Sequence, residues 1–347
     1  LLGFAPRDPS DDSFREEDHD LARSAQVVLE DLLLEKVRYL RTLVPSDNLC
    51  LAGGVALNSV ANGRIVKESG FSDVFIPSSP GDAGSCLGAA AMAHVRAPGQ
   101  HVRERLRSDH WGPRYDTDDI DRLLRTLPFS YGDYRGRESE LLDAVVDRLL
   151  RGRVVGWFHG RMEFGPRALG GRSILADPRD KGMQTRLNEL VKMREAFRPF
   201  APSVLEEHAS TVLDLPRPDP FMSTTCAVKD GLDLPAITHV DRSARPQTVN
   251  AETSPRYAAL IRRFHARTGC PLLVNTSFNV RGEPLVCSPV DAINCFARSG
   301  IEVLVLEDFI IDREQLPAGW SEAIAGDSVF ELAERDAGSG GALYTFI

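Results

Sequence analysis

The sequence predicts an α/β fold in two units, on three observations. A strand, a glycine loop and a helix follow one another twice between residues 48 and 95. A second alternation of helices and strands begins near Glu138 and runs to about residue 312. The length of 347 residues suits about two domains at ~150 residues each. Such alternation lays helices on a sheet.

From Asp18 to Leu43, residues Leu21, Ala25, Val28 and Leu32, flanked by Leu29, Leu33, Val37 and Leu40, recur at helical spacing and predict a core-facing helix. Pro45-Ser46-Asp47 ends it. Asn48 to Ala52 reads as a buried strand running into Gly53-Gly54, with a helix from Val55 to Ser69 behind it. Asp73 to Ile76 is the next strand, Pro77 to Asp82 a loop, and Ala83 to Val95 a helix of small residues. Between Pro98 and Arg137 the apolar alternation fades and turn residues accumulate, which predicts a linker or peripheral segment. A helix over 139–151 then leads into the strand 154–158. Further strands are predicted at 173–176, 223–228, 271–274, 303–306 and 309–312, and helices at 181–193, 255–267 and 289–298. The expected division is 1–100, 101–137, 138–315 and a tail 316–347, whose Gly338-Ser339-Gly340-Gly341 should fray.

Hydrophobic residues at 42% and charged residues at 26% are ordinary globular usage and exclude disordered, collagen-like and coiled-coil chains. A net charge of -9 excludes a general polyanion-binding surface but leaves room for a local basic pocket. No apolar run nears the ~20 residues of a membrane helix, and the start lacks a signal peptide's pattern, so a soluble, cytoplasmic protein is expected, with no nucleic acid and no membrane partner. Six scattered cysteines without a C-x-x-C pair argue against a disulfide scaffold or zinc ribbon and predict reduced, mostly buried thiols. The chain does not begin with Met and its first dozen residues read as loop, so it is expected to be the C-terminal part of a longer protein.

Gly53 and Gly54, between a buried strand and a helix, let backbone approach a ligand closely, and the helix start offers N–H groups to an anion; Asn58 follows. The same pair also suits a tight turn. Asp82 reads either as a helix cap or as a metal ligand. The densest signal runs from His159 through Gly160-Arg161-Met162-Glu163-Phe164-Gly165-Pro166-Arg167-Ala168-Leu169-Gly170-Gly171-Arg172-Ser173. Guanidinium forks match phosphate oxygens and interleaved glycines permit close approach. The apolar Phe164, Pro166 and Leu169 favour a packed loop over a solvated one. Lys192 to Pro202, Thr238 to Gln247 and Leu272 to Pro284 add cations, and Asn275, Ser277 and Asn279 add hydrogen-bonding side chains at a strand's end. No paired-histidine metal motif, nucleophile elbow or Walker-type phosphate loop is present.

Gly53-Gly54-Val55-Ala56-Leu57-Asn58, Gly81-Asp82-Ala83-Gly84, Gly160 through Gly170, Phe197-Arg198-Pro199-Phe200-Ala201-Pro202 and Asn275-Thr276-Ser277-Phe278-Asn279 together resemble the O-carbamoyltransferases of nodulation-factor and antibiotic tailoring, in order over about residues 15 to 312. The resemblance implies the end of an actin-like ATPase domain, related to the tRNA threonylcarbamoyl-transfer proteins, followed by a domain like the threonylcarbamoyl-adenylate synthases. It implies an enzyme that makes carbamoyl adenylate from carbamoyl phosphate and ATP, releasing pyrophosphate. An iron(II)-bearing N-terminal site would then pass the carbamoyl group to a hydroxyl of a natural product or sugar, and Mg2+ could accompany ATP.

Carried over by position, the resemblance implies that Arg161, Arg167, Lys192, Arg194, Arg198 and Arg245 hold the phosphates of carbamoyl phosphate and ATP, and that Asn275, Ser277 and Asn279 hold the adenylate. Gly53, Gly54 and Asn58 fall at the family's N-terminal nucleotide contact and Asp82 at its metal-ligand aspartate. The family's paired metal histidines lie upstream of Leu1, so the missing part of the N-terminal domain is an expected partner; homo-oligomerisation is left open. The alternatives are the tRNA or hydrogenase-maturation branch of this chemistry and a non-catalytic nucleotide-binding regulatory module.

Overall fold

The computed structural model describes residues 14–101, 105–192 and 198–320. The first unit comprises α1 (Glu16–Leu43), β1 (Asn48–Cys50), α2 (Ser59–Glu68), β2 (Asp73–Phe75) and α3 (Ser85–Arg96). β1 and β2 pair in parallel, Leu49 opposite Val74. Around them sits a small core of Val37, Leu49, Ala56, Ile65, Phe71, Val74 and Ile76.

The α1 stripe does not face a core along its length. Only Glu30, Leu34 and Val37 are buried, while Leu21, Val28, Leu32 and Leu40 are exposed. A helix of 28 residues spans about 42 Å, and two three-residue strands cannot cover it. α3 buries none of its residues, leaving Leu87, Met92 and Val95 in the open.

The second unit begins earlier than the sequence suggests. Where a linker or peripheral segment was expected, α4 (Thr117–Arg125) seals Ile120 and Leu124 completely, and β3 (Gly132–Asp133) forms a sheet edge. The nine-residue helix escapes notice because its two core positions are set among aspartates and arginines.

Next come α5 (Glu138–Leu150), β4 (Val155–Phe158), β5 (Arg172–Ala176), α6 (Met183–Leu187), β6 (Ala201–Leu205), α7 (Ala209–Val212), β7 (Cys226–Ala227), β8 (Ser243–Ala244) and β9 (Gln247–Val249). α8 (Pro255–Thr268), β10 (Leu272–Ser277), α9 (Pro289–Arg298), β11 (Val303–Leu306) and β12 (Phe309–Asp312) complete the unit. The predicted helix 181–193 is a short α6 continued by a wider π-type turn, Asn188–Lys192, and the strand 223–228 shrinks to β7.

Eight strands form one mixed sheet in the order β3-β12-β11-β4-β5-β10-β6-β9. Only β11 with β4 and β6 with β9 are parallel. Every β4 residue is buried, so both faces of the sheet are covered. A side chain at Gly156 would come within 2.7 Å of the Phe278 ring, which fills that space. α5 and α8 pack on each other and on the sheet, and α9 lies on β11 and β4. Of the cysteines, Cys226, Cys270 and Cys295 are buried, Cys287 is half-buried, and Cys50 and Cys86 are exposed. The expectation of mostly buried thiols therefore holds for half of them.

The units meet along a tight seam. Thr225 donates its N–H to Ser59 O at 3.0 Å, and a Cβ at Gly63 would sit 2.5 Å from Thr225 O. Asn62 Nδ2 donates to Ser223 O, and Asp73 pairs with Arg217 at 2.6 Å and Arg105 at 2.9 Å. No helix among the described residues is long and apolar enough to cross a membrane.

Candidate functional site

In the first unit the parallel strands end together. Gly53, at φ +102°, donates its N–H to Pro80 O at 2.7 Å, bridging the loops that follow β1 and β2. No atom lies within 4 Å of where a Cβ would stand on Gly53 or Gly54, so this backbone faces open space. Asn58 caps α2 by accepting the Ala61 N–H at 3.0 Å, and its amide exchanges two hydrogen bonds with Gln26 of α1. Asp82 starts a short 3-10 turn and is exposed; its side chain caps neither that turn nor α3. Among the described residues, no three His, Cys, Asp or Glu side chains gather to hold a metal.

The large sheet brings its candidates to one end. In register, Phe158 of β4 lies opposite Arg172 of β5 and Leu306 of β11; Ser277 of β10 lies opposite Ser173, Asn275 opposite Ala201 of β6, and Ser203 opposite Gln247 of β9. The end where β4, β10 and β11 finish is therefore where β5, β6 and β9 start. Arg161 and Arg167 leave β4 there, Arg198 and Arg245 enter β6 and β9 there, and Ser277 and Asn279 sit where β10 stops. Arg194 lies outside the described residues, as does the side chain of Lys192.

The arginine loop is built around Glu163. Its Oε1 accepts the N–H groups of Leu169 (2.6 Å), Gly171 (2.7 Å) and Arg172 (3.2 Å). Gly170 is required at φ +103°, with Tyr257 Cδ1 2.4 Å from where a Cβ would be. Arg172 is fully buried beneath the loop, its guanidinium 3.5 Å from the Phe158 ring centroid and donating to the carbonyls of His159, Gly160, Gly171 and Pro113.

Arg161 is exposed and donates to Gly112 O at 3.1 Å. Arg167 is half-buried and has no hydrogen-bond or ion-pair partner among the described residues; burial pulls its pKa down. A cation carried partly out of water without an anion is what a phosphate site has before its ligand arrives. Asn275 is sealed in, its Nδ2 donating to Ala168 O, Ser203 Oγ and Gln247 Oε1, so it ties the loop to the sheet. Ser277 Oγ donates to Asn279 Oδ1 at 2.6 Å.

Sequence reasoning missed the acids around this loop. Residues 109–113 run beside it: Phe164 donates its N–H to Asp109 O, Met162 donates its N–H to Pro113 O, and Gly112 donates its N–H to Met162 O. Asp109 is 1% exposed, and neither carboxyl oxygen has a hydrogen-bond partner among the described residues, although His110 Nδ1 lies 3.6 Å from Oδ1. Burial first, then the nearby Glu163 charge, pushes its pKa up to about 8. Nothing local in Ser108-Asp109-His110 signals this, because its neighbours lie some 50 residues on.

Between pH 3.8 and about 8 the folded chain keeps the Asp109 proton that the unfolded chain has released, so stability falls as pH rises through that window. Asp109→Asn has no such proton. Its melting temperature should exceed that of the wild type at pH 8, with the gap narrowing by pH 5; an equal gap at both would count against the buried acid.

A separate cleft of about 510 Å³, lined by Tyr134, Arg148, Arg153, Asp312 and Glu314, lies at the opposite end of the sheet. Its Arg148 and Arg153 are already paired with Asp312 and Glu314 at 2.5 Å.

Fold and site together define a class: an α/β protein whose candidate anion-binding residues emerge at one end of a mixed sheet. The chain belongs to the carbamoyltransferase family. The family's N-terminal description, "Carbamoyltransferase N-terminus", matches residues 8–91, and its "Carbamoyltransferase C-terminus" matches residues 146–313. Nodulation protein NolO of Bradyrhizobium diazoefficiens is 41% identical over 86% of this chain and 56% of its own length. Nodulation protein NolNO of Sinorhizobium fredii is 40% identical over 89% and 46%, and an uncharacterized Synechocystis protein 42% over 90% and 55%. The chain thus spans about half the length of the curated relatives it matches. Among solved structures, full-length HypF in a phosphate- and nucleotide-bound form aligns with TM-score 0.36 and 12% identity over 73% of this chain and 40% of that one.

Proposed function

We propose that this chain carries the carbamoyl-activating part of an ATP-dependent O-carbamoyltransferase. The observation that carries the reading is the half-buried Arg167, without a partner among the described residues, at the sheet end where Arg161, Arg198, Arg245, Ser277 and Asn279 also emerge. Family membership supports it.

Atom balance requires one water, and the reading places it in the first step. Carbamoyl phosphate first loses phosphate to water, giving carbamate. A carbamate oxygen then attacks the α-phosphorus of ATP and expels pyrophosphate, forming carbamoyl adenylate. The arginines stabilise charge as it builds on the phosphates, and the AMP leaving group then opens the carbonyl to attack by an acceptor hydroxyl. The acceptor is read as a small natural product or sugar. The exposed apolar sides of α1 and α3 are read as the face that the rest of the N-terminal domain covers. Exposed Asp82, with no second ligand beside it among the described residues, does not by itself fit iron.

The test is to supply ATP and carbamoyl phosphate to the full-length natural chain and to measure pyrophosphate and carbamoyl adenylate. Arg161→Ala or Arg245→Ala should cut adenylate formation roughly 10-fold or more, since a charge-assisted bond to phosphate is worth ~1.5–3 kcal/mol. Ligand binding without any product would instead favour a nucleotide-sensing module.

A further inference from the structure

β4 and β11 run parallel and stop together, with Phe158 opposite Leu306. The next residues are His159 on one strand and Glu307 on the other, and their side chains meet, with 2.6 Å between His159 Nδ1 and Glu307 Oε2. The second oxygen, Oε1, accepts the Gly160 N–H at 2.6 Å, so one carboxylate fixes both the imidazole and the first residue of the arginine loop. Glu307 does this at φ +49°, a strained conformation for a residue with a side chain.

Arg256, at the start of α8, lies 2.9 Å from Asp308 and 3.6 Å from Glu307. Burial alone would raise the Glu307 pKa, but the His159 bond, the Gly160 N–H and Arg256 hold it below the ordinary range. An ionised acceptor at Nδ1 puts the proton on that nitrogen and leaves Nε2 for a ligand. The His159 side chain keeps 27% of its exposure, against 8% for Glu307. Arg256 also reaches the ring, its Nη1 3.4 Å from His159 Nδ1; Arg172 in β5 bonds His159 O, and His110 in the paired loop interacts with His159 while Glu163 lies 4.0 Å from His110 Nε2.

Resting on the reading that this sheet end handles carbamoyl phosphate, we propose that His159 Nε2 is its proton-transfer group and Glu307 the residue that positions it. Water oxygen bonds to the carbamoyl carbon, the bond from that carbon to the bridging oxygen breaks, and its electron pair leaves with phosphate. One water proton passes to Nε2. The other, carried by the carbamic acid just formed, goes to the departing phosphate. The products are carbamate, hydrogen phosphate and an imidazolium that returns its proton to solvent.

The experiment measures phosphate release and carbamoyl adenylate formation against pH in the full-length natural chain and in His159→Gln, His159→Ala and Glu307→Gln. General-base catalysis is worth about 10²–10⁴-fold. His159→Gln should therefore lose about 100-fold or more in kcat, with KM for carbamoyl phosphate changed less than about 3-fold, and the acid limb of the pH profile should disappear. Glu307→Gln should lose about 10-fold in kcat. If His159→Ala fails to fold, the similar-sized His159→Gln decides. Rates within about 3-fold and an intact acid limb overturn the proposal, and so does a loss confined to KM, which would make His159 only a phosphate contact. A wild-type chain that makes no carbamoyl adenylate overturns the reading of the site, and this proposal with it.

Discussion

Arg172→Leu is expected to destabilise the second unit by about 3–5 kcal/mol, the range for removing one partner of a buried charged network. The guanidinium is fully buried and serves four backbone carbonyls, two of which, His159 and Gly160, begin the arginine loop. Leucine fills part of the volume but leaves His159 O and Gly160 O without the donor that Arg172 supplies, each at a cost of ~1–3 kcal/mol, while Gly171 O and Pro113 O keep the N–H groups of His159 and Met162. The melting temperature should fall by roughly 10 °C. Arg172→Lys keeps the charge but not the flat fork, and should fall between the two. A leucine variant melting within 2 °C or so of wild type would remove Arg172 from this supporting role.

Arg167→Ala should show the opposite profile. No protein anion among the described residues meets its guanidinium, and burial already disfavours the charge, so the ligand-free chain should be no less stable without it. Affinity for carbamoyl phosphate or ATP should drop about 10-fold or more, from loss of a charge-assisted contact. Calorimetric titration beside a melting curve separates the two effects. A loss of stability that matches the loss of binding would mean the arginine is structural.

The strands 154–158, 303–306 and 309–312 were legible because they are nearly continuous apolar runs, as strands covered on both faces must be. β6 was not. No strand is predicted over Ala201-Pro202-Ser203-Val204-Leu205, yet it lies inside the sheet, where Ser203 Oγ donates to Gln247 Oε1 at 2.6 Å and Asn275 Nδ2 bonds both. A polar triad assembled from three strands has no local pattern. The arginine string was legible for the converse reason: guanidinium and glycine at short spacing carry their chemistry with them. Glu307 stands 148 positions from His159, and only the parallel register of β4 and β11 brings them together.

The seam between the units also governs how the chain matures. Its contacts join residues far apart in sequence: Asn62 to Ser223 spans 161 positions and Thr225 to Ser59 spans 166. At a synthesis rate of about 5–20 residues per second, the first unit would wait roughly 10–30 s on the ribosome before its partner surface exists. Through that interval Gly63 faces water where Thr225 will later press, and α2 lacks its final support. Docking is then a late, non-local event. Conditions that slow elongation would lengthen the time this surface is open to capture by other proteins.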